Sequence, residues 1–152
     1  MQNTLQGQQA VVCTIGGNGL GDSTTRSEGT KNIISSMKSS NLGPLVLCSV
    51  LGVGKSKNHL SMMGKMALNT ILRNPKKDHT IQEDVVKSSG LDWVIIRPPR
   101  LVNSPKTEDY KMVDETEKGF IGKQIAREDV AHCMLRALHE EDWVGKAFSV
   151  SY

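Results

Sequence analysis

The chain has 152 residues and is predicted to form an α/β domain with a doubly wound, mostly parallel sheet. Short apolar runs of strand length alternate with amphipathic runs of helical length. The apolar runs are continuous, as in strands that are covered on both faces. Glycine or proline separates the runs, as at Gly43-Pro44 and Gly90. The length predicts a single domain over residues 1–152, with residues 1–8 as a disordered or extended lead-in.

The elements follow one another along the chain in a βα alternation. They are a strand over residues 10–15, a helix over 24–39, a strand over 45–50, a glycine-rich loop over 52–57, helices over 60–73 and 78–89, strands over 93–96, 110–113 and 120–125, a helix over 127–139 and a strand over 147–150. Asp22 or Ser23 is the predicted N-cap of the first helix, because a short side chain can accept from free backbone N–H groups. Pro75 and Gly90 are predicted to end the second and third helices.

The first three helices have apolar residues at spacings that place them on one face. The residues predicted to face the sheet are Ile33, Ile34 and Met37 in the first helix, Leu60, Met63, Ala67 and Ile71 in the second, and Ile81, Val85 and Val86 in the third. These faces predict two helical layers around the sheet.

Composition excludes several classes of protein. The formal net charge is +3 with acids and bases interspersed, so no nucleic-acid partner is expected, and the basic run Asn74-Pro75-Lys76-Lys77 is interpreted as a solvated loop. Three widely spaced cysteines in apolar runs indicate reduced thiols and a cytoplasmic protein. No apolar stretch is long enough to span a membrane, and residues 1–10 resemble no targeting peptide.

A glycine-rich turn, Gly17-Asn18-Gly19-Leu20-Gly21, lies between the first strand and the first helix. Its position suits a dinucleotide-binding turn, but Asp22 stands where that motif needs its third glycine. A pyrophosphate cradle and a flexible turn that lets a ligand approach the backbone both remain open.

Three further patterns do not complete a known motif. Val53-Gly54-Lys55-Ser56 resembles the end of a P-loop, but Ser49 occupies the position of the first glycine. His79 and Glu83 share a helical face without a third ligand, so no metal site is predicted. Neither tyrosine has a lysine four residues later, so the Tyr-Lys acid pair of short-chain reductases is absent.

Several segments, in this order and spacing, resemble the atypical short-chain dehydrogenase/reductases, in the NmrA-like group that includes biliverdin-IXβ reductase (NADPH flavin reductase). The segments are residues 10–16, 27–38, 45–49, 90–99 and 127–135, which resemble the family's fourth strand, its following helix, its fifth and sixth strands and a helix near its end. The resemblance implies NADP as cofactor and a planar acceptor such as a flavin or a tetrapyrrole.

The resemblance also implies a site at the carboxyl ends of the strands. The implied cofactor-binding residues are Ile15, Gly16, Gly17, Arg26, Cys48, Ser49, Pro98, Pro99, Arg100 and Leu101. Ser49 is the candidate catalytic residue, as the hydroxyl best placed to orient substrate or cofactor. In biliverdin-IXβ reductase the serine falls one position later, where this chain has Val50. Arg100 is either a contact for an anionic substrate or an exposed loop charge.

The resemblance implies a partial Rossmann fold that lacks the family's first βα units. Those units carry the phosphate-binding glycine loop, so weak or absent NADP binding is expected of this chain alone. Residues 10–15 are expected to form an open sheet edge that pairs with a partner chain. The expected function is that of an NAD(P)H-dependent reductase. A non-catalytic NmrA-like regulator or interaction module, and a fragment without independent activity, are the alternatives.

Overall fold

The computed structural model describes residues 5–17, 20–119 and 121–152. In these residues a five-stranded sheet has the order β1-β2-β3-β7-β5. The strands are β1 (Val11–Cys13), β2 (Leu45–Cys48), β3 (Trp93–Arg97), β5 (Lys111–Asp114) and β7 (Lys146–Ser151). β1, β2, β3 and β7 are parallel, and β5 is antiparallel to β7. The short strands β4 (Arg100–Val102) and β6 (Gln124–Ala126) pair with each other in parallel. The predicted mostly parallel α/β fold is confirmed.

Helices cover both faces of the sheet. They are α1 (Thr25–Ser39), α2 (Met62–Asn69), α3 (Arg73–Lys87) and α4 (Arg127–Arg136). Along β2 and β3, alternate side chains join two separate clusters because successive residues of a strand point to opposite faces. Leu45, Leu47 and Ile95 pack with α1 and α3, while Val46 and Val94 pack with α4. Both faces are therefore apolar, which is why these strands read as unbroken apolar runs.

Two predicted helices differ from the observed ones. α2 is shorter than predicted and begins at Met62, and its supposed inner residue Met63 is 79% exposed. Ile71, also predicted inward, lies beyond the helix end and is 64% exposed. Pro75 does not end a helix but lies in the first turn of α3, where its missing N–H has no helical partner to lose.

The buried face of α3 is polar. Asp78, His79, Gln82 and Glu83 are buried there together with Val86, whereas Ile81 is 38% exposed. Hydrogen bonds from other elements make this burial tolerable, since an unpaired polar group in a core is costly. The predicted apolar face is thus wrong for Ile81 and correct for Val86.

Arg97, at the end of β3, is the largest fully buried side chain. Its Nε and Nη2 donate to the two oxygens of Glu83 at 2.9 and 2.6 Å, and its Nη1 donates to Glu115 Oε2 at 2.9 Å. Burial alone would lower the pKa of Arg97, but the hydrogen bonds and charge of Glu83, together with Glu115, raise it. The pair is bidentate, so it fixes the orientation of α3 against β3.

Both ends of the described chain make specific contacts. Of the predicted lead-in, residues 1–4 lie outside the described residues, and residues 5–8 form a turn in which Gln8 N donates to Leu5 O. At the other end, the hydroxyl of Tyr152 donates to Asp129 Oδ2 at 2.6 Å. Among the residues described, no helix is long and apolar enough to cross a membrane.

β1 is an edge strand in the described part of the chain. It pairs with β2 on one side, through Val11–Leu45 and Cys13–Leu47, and it stands at the end of the strand order. Val12 is 39% exposed. The edge agrees with the expectation for residues 10–15, although the strand itself is shorter.

Replacing Glu83 by alanine is expected to lower the free energy of unfolding by about 3–5 kcal/mol, because the buried charge of Arg97 loses its bidentate partner. The matched control is Glu28→Ala, which removes the exposed pair with Lys31 and is expected to cost about 1 kcal/mol or less. Urea unfolding measures both. Equal losses in the two variants would contradict the structural role of the buried pair.

Candidate functional site

The predicted site residues follow the carboxyl ends of three parallel strands. Ile15, Gly16 and Gly17 come after β1, Ser49 follows β2, and Pro98 follows β3. β2 and β3 are in register up to Cys48–Ile96, so these strand ends lie side by side. In open α/β sheets, ligands bind at this edge.

The backbone N–H of Ser49 is hydrogen-bonded, whereas its side-chain hydroxyl has no partner among the described residues. Its N–H donates to Ile96 O at 2.8 Å, which continues the pairing of β2 with β3. The residue is 5% exposed, and its Oγ has no hydrogen-bond partner in the described part of the chain. A buried hydroxyl without a partner is destabilising in the free protein, which suggests that a ligand completes its hydrogen bonding.

Arg26, the second residue of α1, is buried beside the turn that follows β1. Its guanidinium lies against Gly17 so closely that a Cβ at Gly17 would collide with Nη1. Asp78 Oδ2 is 3.5 Å from Nη1, and Nε has no partner among the described residues. Arg26 Nε and Ser49 Oγ are the two orphaned buried side-chain atoms of that part of the chain, and both belong to residues that the sequence assigned to the site.

The N-terminus of α1 is occupied by a carboxylate from another helix. Asp78 accepts from the backbone N–H groups of Arg26 and Ser27, both at 3.1 Å, and from Ser27 Oγ at 2.7 Å. Burial alone would raise the pKa of Asp78, but these hydrogen bonds lower it. The N-cap residue is Thr24, without a side-chain capping bond, so the predicted caps Asp22 and Ser23 are wrong, and Ser23 Oγ accepts only from Thr25 N at 3.2 Å. Asp78 therefore takes the place that a phosphate takes in many nucleotide-binding folds.

An apolar cavity of about 510 Å³ opens at the same edge of the sheet. Its walls come from the ends of β2 and β3, the region of α2, and the loop before β6. The lining residues are Val50, Leu51, Leu60, Ser61, Gly64, Ala67, Leu72, Pro99, Arg100, Ile121, Gly122 and Lys123. Arg100 and Lys123 are the charged residues among them, and no acid is present in this lining. The cavity suits an apolar ligand that carries an anionic group.

The wall at Gly122 is fixed by the end of the chain. Gly122 N donates to Ser151 Oγ at 2.6 Å, and a Cβ on Gly122 would collide with the carbonyl oxygen of Tyr152. Glycine is therefore required where the loop passes β7. The sequence offered no motif for Ile121 or Lys123 as lining residues, since the approach of this loop depends on the tertiary fold.

The other predicted residues take different places. Pro98 is buried and its carbonyl accepts from Leu51 N at 2.9 Å, which fixes the loop beside the cavity. Leu101 packs against the core on the α4 side of the sheet and is not part of the cavity lining. Cys48 is half-buried, and burial together with Cys13 raises its pKa to about 11. Its thiol is therefore neutral at physiological pH.

Two sequence patterns have structural roles. Ser56, in the segment that resembles a P-loop, accepts from Gly52 N and donates to Val53 O, which stabilises a 3₁₀ turn over Gly54–His59. His79 hydrogen-bonds Gln82 in the buried face of α3. In the ranges that the structure describes, no three His, Cys, Asp or Glu side chains cluster as metal ligands. The glycine-rich turn lies partly outside those ranges, at Asn18 and Gly19.

Comparison with known proteins identifies an NAD(P)H-binding family and solved structures with a similar fold. A family model described as NAD(P)H-binding matches residues 1–141. A short-chain dehydrogenase/reductase from Veillonella parvula, solved with NADP, is 17% identical with a TM-score of 0.80, covering 99% of this chain and 66% of that one. The anaerobilin reductase ChuY from Escherichia coli is 20% identical with a TM-score of 0.73, covering 93% and 63%. The oxidoreductase YlbE from Lactococcus lactis is 16% identical with a TM-score of 0.77, covering 99% and 65%.

A curated relative covers a smaller part. The uncharacterized sugar epimerase YhfK of Bacillus subtilis is 33% identical over 69 residues, which are 45% of this chain and 30% of that protein. The chain spans just under two thirds of the length of the Veillonella parvula structure.

Fold and family model together define an α/β protein with an NAD(P)H-binding domain. The chain belongs to the NAD(P)H-binding family. The membership in an NAD(P)-binding family that the sequence segments indicated is therefore confirmed.

If the hydroxyl of Ser49 serves a ligand, Ser49→Ala is expected to leave the free energy of unfolding of the free protein unchanged or to raise it by about 1 kcal/mol, because the variant buries no unpartnered hydroxyl. The matched control is Ser149→Ala, which removes the 2.9 Å bond to buried His59 Nδ1 and is expected to cost about 1–3 kcal/mol. Urea unfolding of both variants measures the difference. A loss at Ser49 as large as that at Ser149 would mean that the hydroxyl stabilises the fold.

Proposed function

We propose that this chain carries the nicotinamide side of an NAD(P)H-dependent reductase, and that the apolar cavity takes a planar acceptor such as a flavin or a tetrapyrrole. The observation that carries the proposal is the pair of orphaned buried atoms, Ser49 Oγ and Arg26 Nε, at the carboxyl edge of the sheet. Both require a partner that the described residues do not supply. Family membership makes a nicotinamide cofactor the natural partner.

The residues present fit a dinucleotide that lies across the strand ends. Ile15, Gly16 and Gly17 would line it after β1, Arg26 would donate from Nε, and Ser49 would orient the nicotinamide amide or the acceptor. NADPH, when bound, supplies a hydride, and a solvent proton completes the reduction of the acceptor. The protein's part is orientation and the exclusion of water, so a catalytic tyrosine is not required.

The cavity argues for the kind of acceptor. Pro99, Leu51 and Val50 offer apolar surface, and Arg100 and Lys123 offer positive charge at the same opening. Ser49 precedes Val50 in the chain and is not itself part of the cavity lining. Arg100 is exposed, so its charge is available to a phosphate or a carboxylate of the acceptor. A flavin mononucleotide or a tetrapyrrole combines a planar ring system with such anionic groups.

We propose further that the chain alone binds NADP weakly. The N–H groups at the start of α1 already bind the carboxylate of Asp78, and a second anion there would be repelled. Asp22 adds another negative charge beside the glycine-rich turn.

The three free cysteines support a reducing compartment, the cytoplasm, for the protein.

A second candidate function is binding without turnover, as in a regulator or interaction module of the NmrA-like type. It is compatible with the position of the two tyrosines, since binding alone requires no phenol at the cavity. Tyr110 bonds His132 Nδ1 at 2.9 Å and Tyr152 bonds Asp129, so both phenols are engaged, and neither lines the cavity. A fragment without independent activity is the third candidate, and it predicts neither binding nor turnover.

Reductase activity is tested with NADPH and flavin mononucleotide as substrates. Ser49→Ala is expected to lower kcat at least about tenfold, because an orienting hydrogen bond worth roughly 1.4 kcal/mol is lost. Arg100→Gln is expected to raise KM for flavin mononucleotide and to leave KM for lumiflavin, which lacks the phosphate, unchanged. Lys38→Gln, an exposed charge far from the cavity, is the control and is expected to behave as the wild type.

The outcomes separate the candidates. NADPH fluorescence that reports binding without reduction of flavin or biliverdin would favour the regulator. Micromolar NADPH affinity would contradict weak cofactor binding.

We also propose that a second copy of this chain pairs at the open edge of β1, where backbone groups on one side have no strand partner in the described residues. Val12→Lys is expected to block this pairing, because a charged residue on an edge strand opposes a second strand. Leu135→Lys, at a 57% exposed position on α4, is the control and is expected to leave association unchanged. Sedimentation velocity measures the mass. A wild-type chain that stays monomeric at high concentration would rule out the pairing.

A further inference from the structure

A basic cleft lies at the N-terminus of α3, outside the apolar cavity. Two adjoining cavities of about 590 and 240 Å³ share Asn69 and Lys76 in their linings. Their other lining residues are Asp22, Arg73, Asn74, Lys77 and Thr80 in the larger, and Lys57, Asn58 and Lys65 in the smaller. The cleft so defined contains five cationic residues and one acid.

The cations of the cleft are largely uncompensated. Lys57, Lys65, Arg73 and Lys77 form no ion pair with any acid in the part of the chain that the structure describes. Lys76 donates to Asn69 Oδ1 at 3.0 Å, a neutral acceptor. Five positive charges around one concave surface repel each other and create a strong positive potential. The sequence interpretation of residues 74–77 as a solvated loop is wrong, since they belong to the first turns of a helix.

The position of these charges is unfavourable for the helix itself. Arg73 and Lys76 lie in the first turn of α3, which contains no acidic residue. Cations at a helix N-terminus are destabilising because the helix dipole is positive there. Helix stability therefore does not explain this sequence, whereas an anion that neutralises both the side chains and the dipole does.

The cleft lies beside the segment that follows β1, at the carboxyl edge of the sheet. Asn74 Nδ2 donates to Leu20 O at 3.3 Å, which ties the start of α3 to the segment after β1. Asp22, in the same segment, lines the larger cavity. The cations thus stand near the start of α1, where Asp78 already occupies the backbone N–H groups.

We propose that this cleft binds the phosphate groups of a small ligand that carries at least two phosphates. Five cations spread over two adjoining cavities offer charge-assisted hydrogen bonds to more than one phosphate group. The phosphates belong either to the dinucleotide or to a separate phosphorylated ligand, and the chemistry is the same in both cases. The proposal does not depend on reductase activity.

The test uses inorganic tripolyphosphate as the probe, titrated calorimetrically into the purified chain. The wild type is expected to bind it with an affinity that falls as salt rises. The double variant Arg73→Gln, Lys77→Gln is expected to bind at least about tenfold more weakly. The matched control, Lys38→Gln with Lys118→Gln, removes the same charge at two exposed positions and is expected to bind as the wild type. Equal losses in the two variants, or no binding by the wild type, would overturn the proposal.

Thermal unfolding shows that a loss of binding is not a loss of fold. Without ligand, the cleft variant is expected to melt at the same temperature as the wild type or higher, because it removes cations from a helix start. Tripolyphosphate is expected to raise the Tm of the wild type and not that of the variant. A variant that melts several degrees below the wild type without ligand would overturn the proposal, since the cations would then be structural.

Competition identifies the source of the phosphates. Displacement of tripolyphosphate by NADP would assign the cleft to the cofactor, and undiminished binding in the presence of NADP would assign it to a second ligand. Both results support phosphate binding. Ser49→Ala is expected to bind tripolyphosphate as the wild type does, so failure of the reductase proposal and failure of this one are separable.

Discussion

The buried polar face of α3 fixes how the helices on one side of the sheet pack against each other and against β3. Glu83 holds the fully buried guanidinium of Arg97 with two hydrogen bonds, Gln82 donates to Thr30 of α1, and Asp78 caps the start of α1. One helix thus fixes a strand and a second helix through polar contacts. Such contacts have narrow geometry, so they specify one arrangement where apolar packing would tolerate several.

The same helix positions both sides of the candidate site. Arg97 directly precedes Pro98, which stands beside the apolar cavity, and Asp78 holds Arg26 against Gly17 on the other side. The distance between these two regions is therefore set by the stretch of α3, about one and a half turns, that separates Asp78 from Glu83. A ligand that lies across the strand ends meets a preformed surface, which limits the entropy lost on binding.

Most strands and helices were predictable because their signals are local, whereas β4 was not predicted, since it directly follows Pro98 and Pro99, which indicate a turn. Continuous apolar runs such as Leu45–Cys48 identify buried parallel strands, and Gly90, with a φ of 73°, ends its helix region where only glycine is unstrained. The face of α3 was not predictable, because the partners of Glu83 and Gln82 are distant in sequence. α2 was misjudged because its apolar spacing resembles that of a core helix, although it borders a cavity and leaves Met63 in solvent.

The candidate site likewise has residues that the sequence predicts and residues that it does not. Ser49, Pro99 and Arg100 follow strand ends, and topology alone places such residues at one edge. Lys123 and Ile121 come to the cavity through a loop whose path depends on β7, and the cations of the basic cleft come together from several segments. The sequence spacing of these residues does not predict that they lie close together, since charged residues are equally common on surfaces that bind nothing.

The contact of Gly122 with Ser151 and Tyr152 couples the cavity wall to the end of β7. Ser151 bonds the wall through its hydroxyl, and Tyr152 reaches across to Asp129 at the start of α4. If the end of β7 opens, the wall loses its support, and an occupied cavity in turn opposes this opening. Ligand affinity and the local opening of the final strand are thus thermodynamically linked, so amide hydrogen exchange in β7 becomes a reporter of occupancy of the cavity.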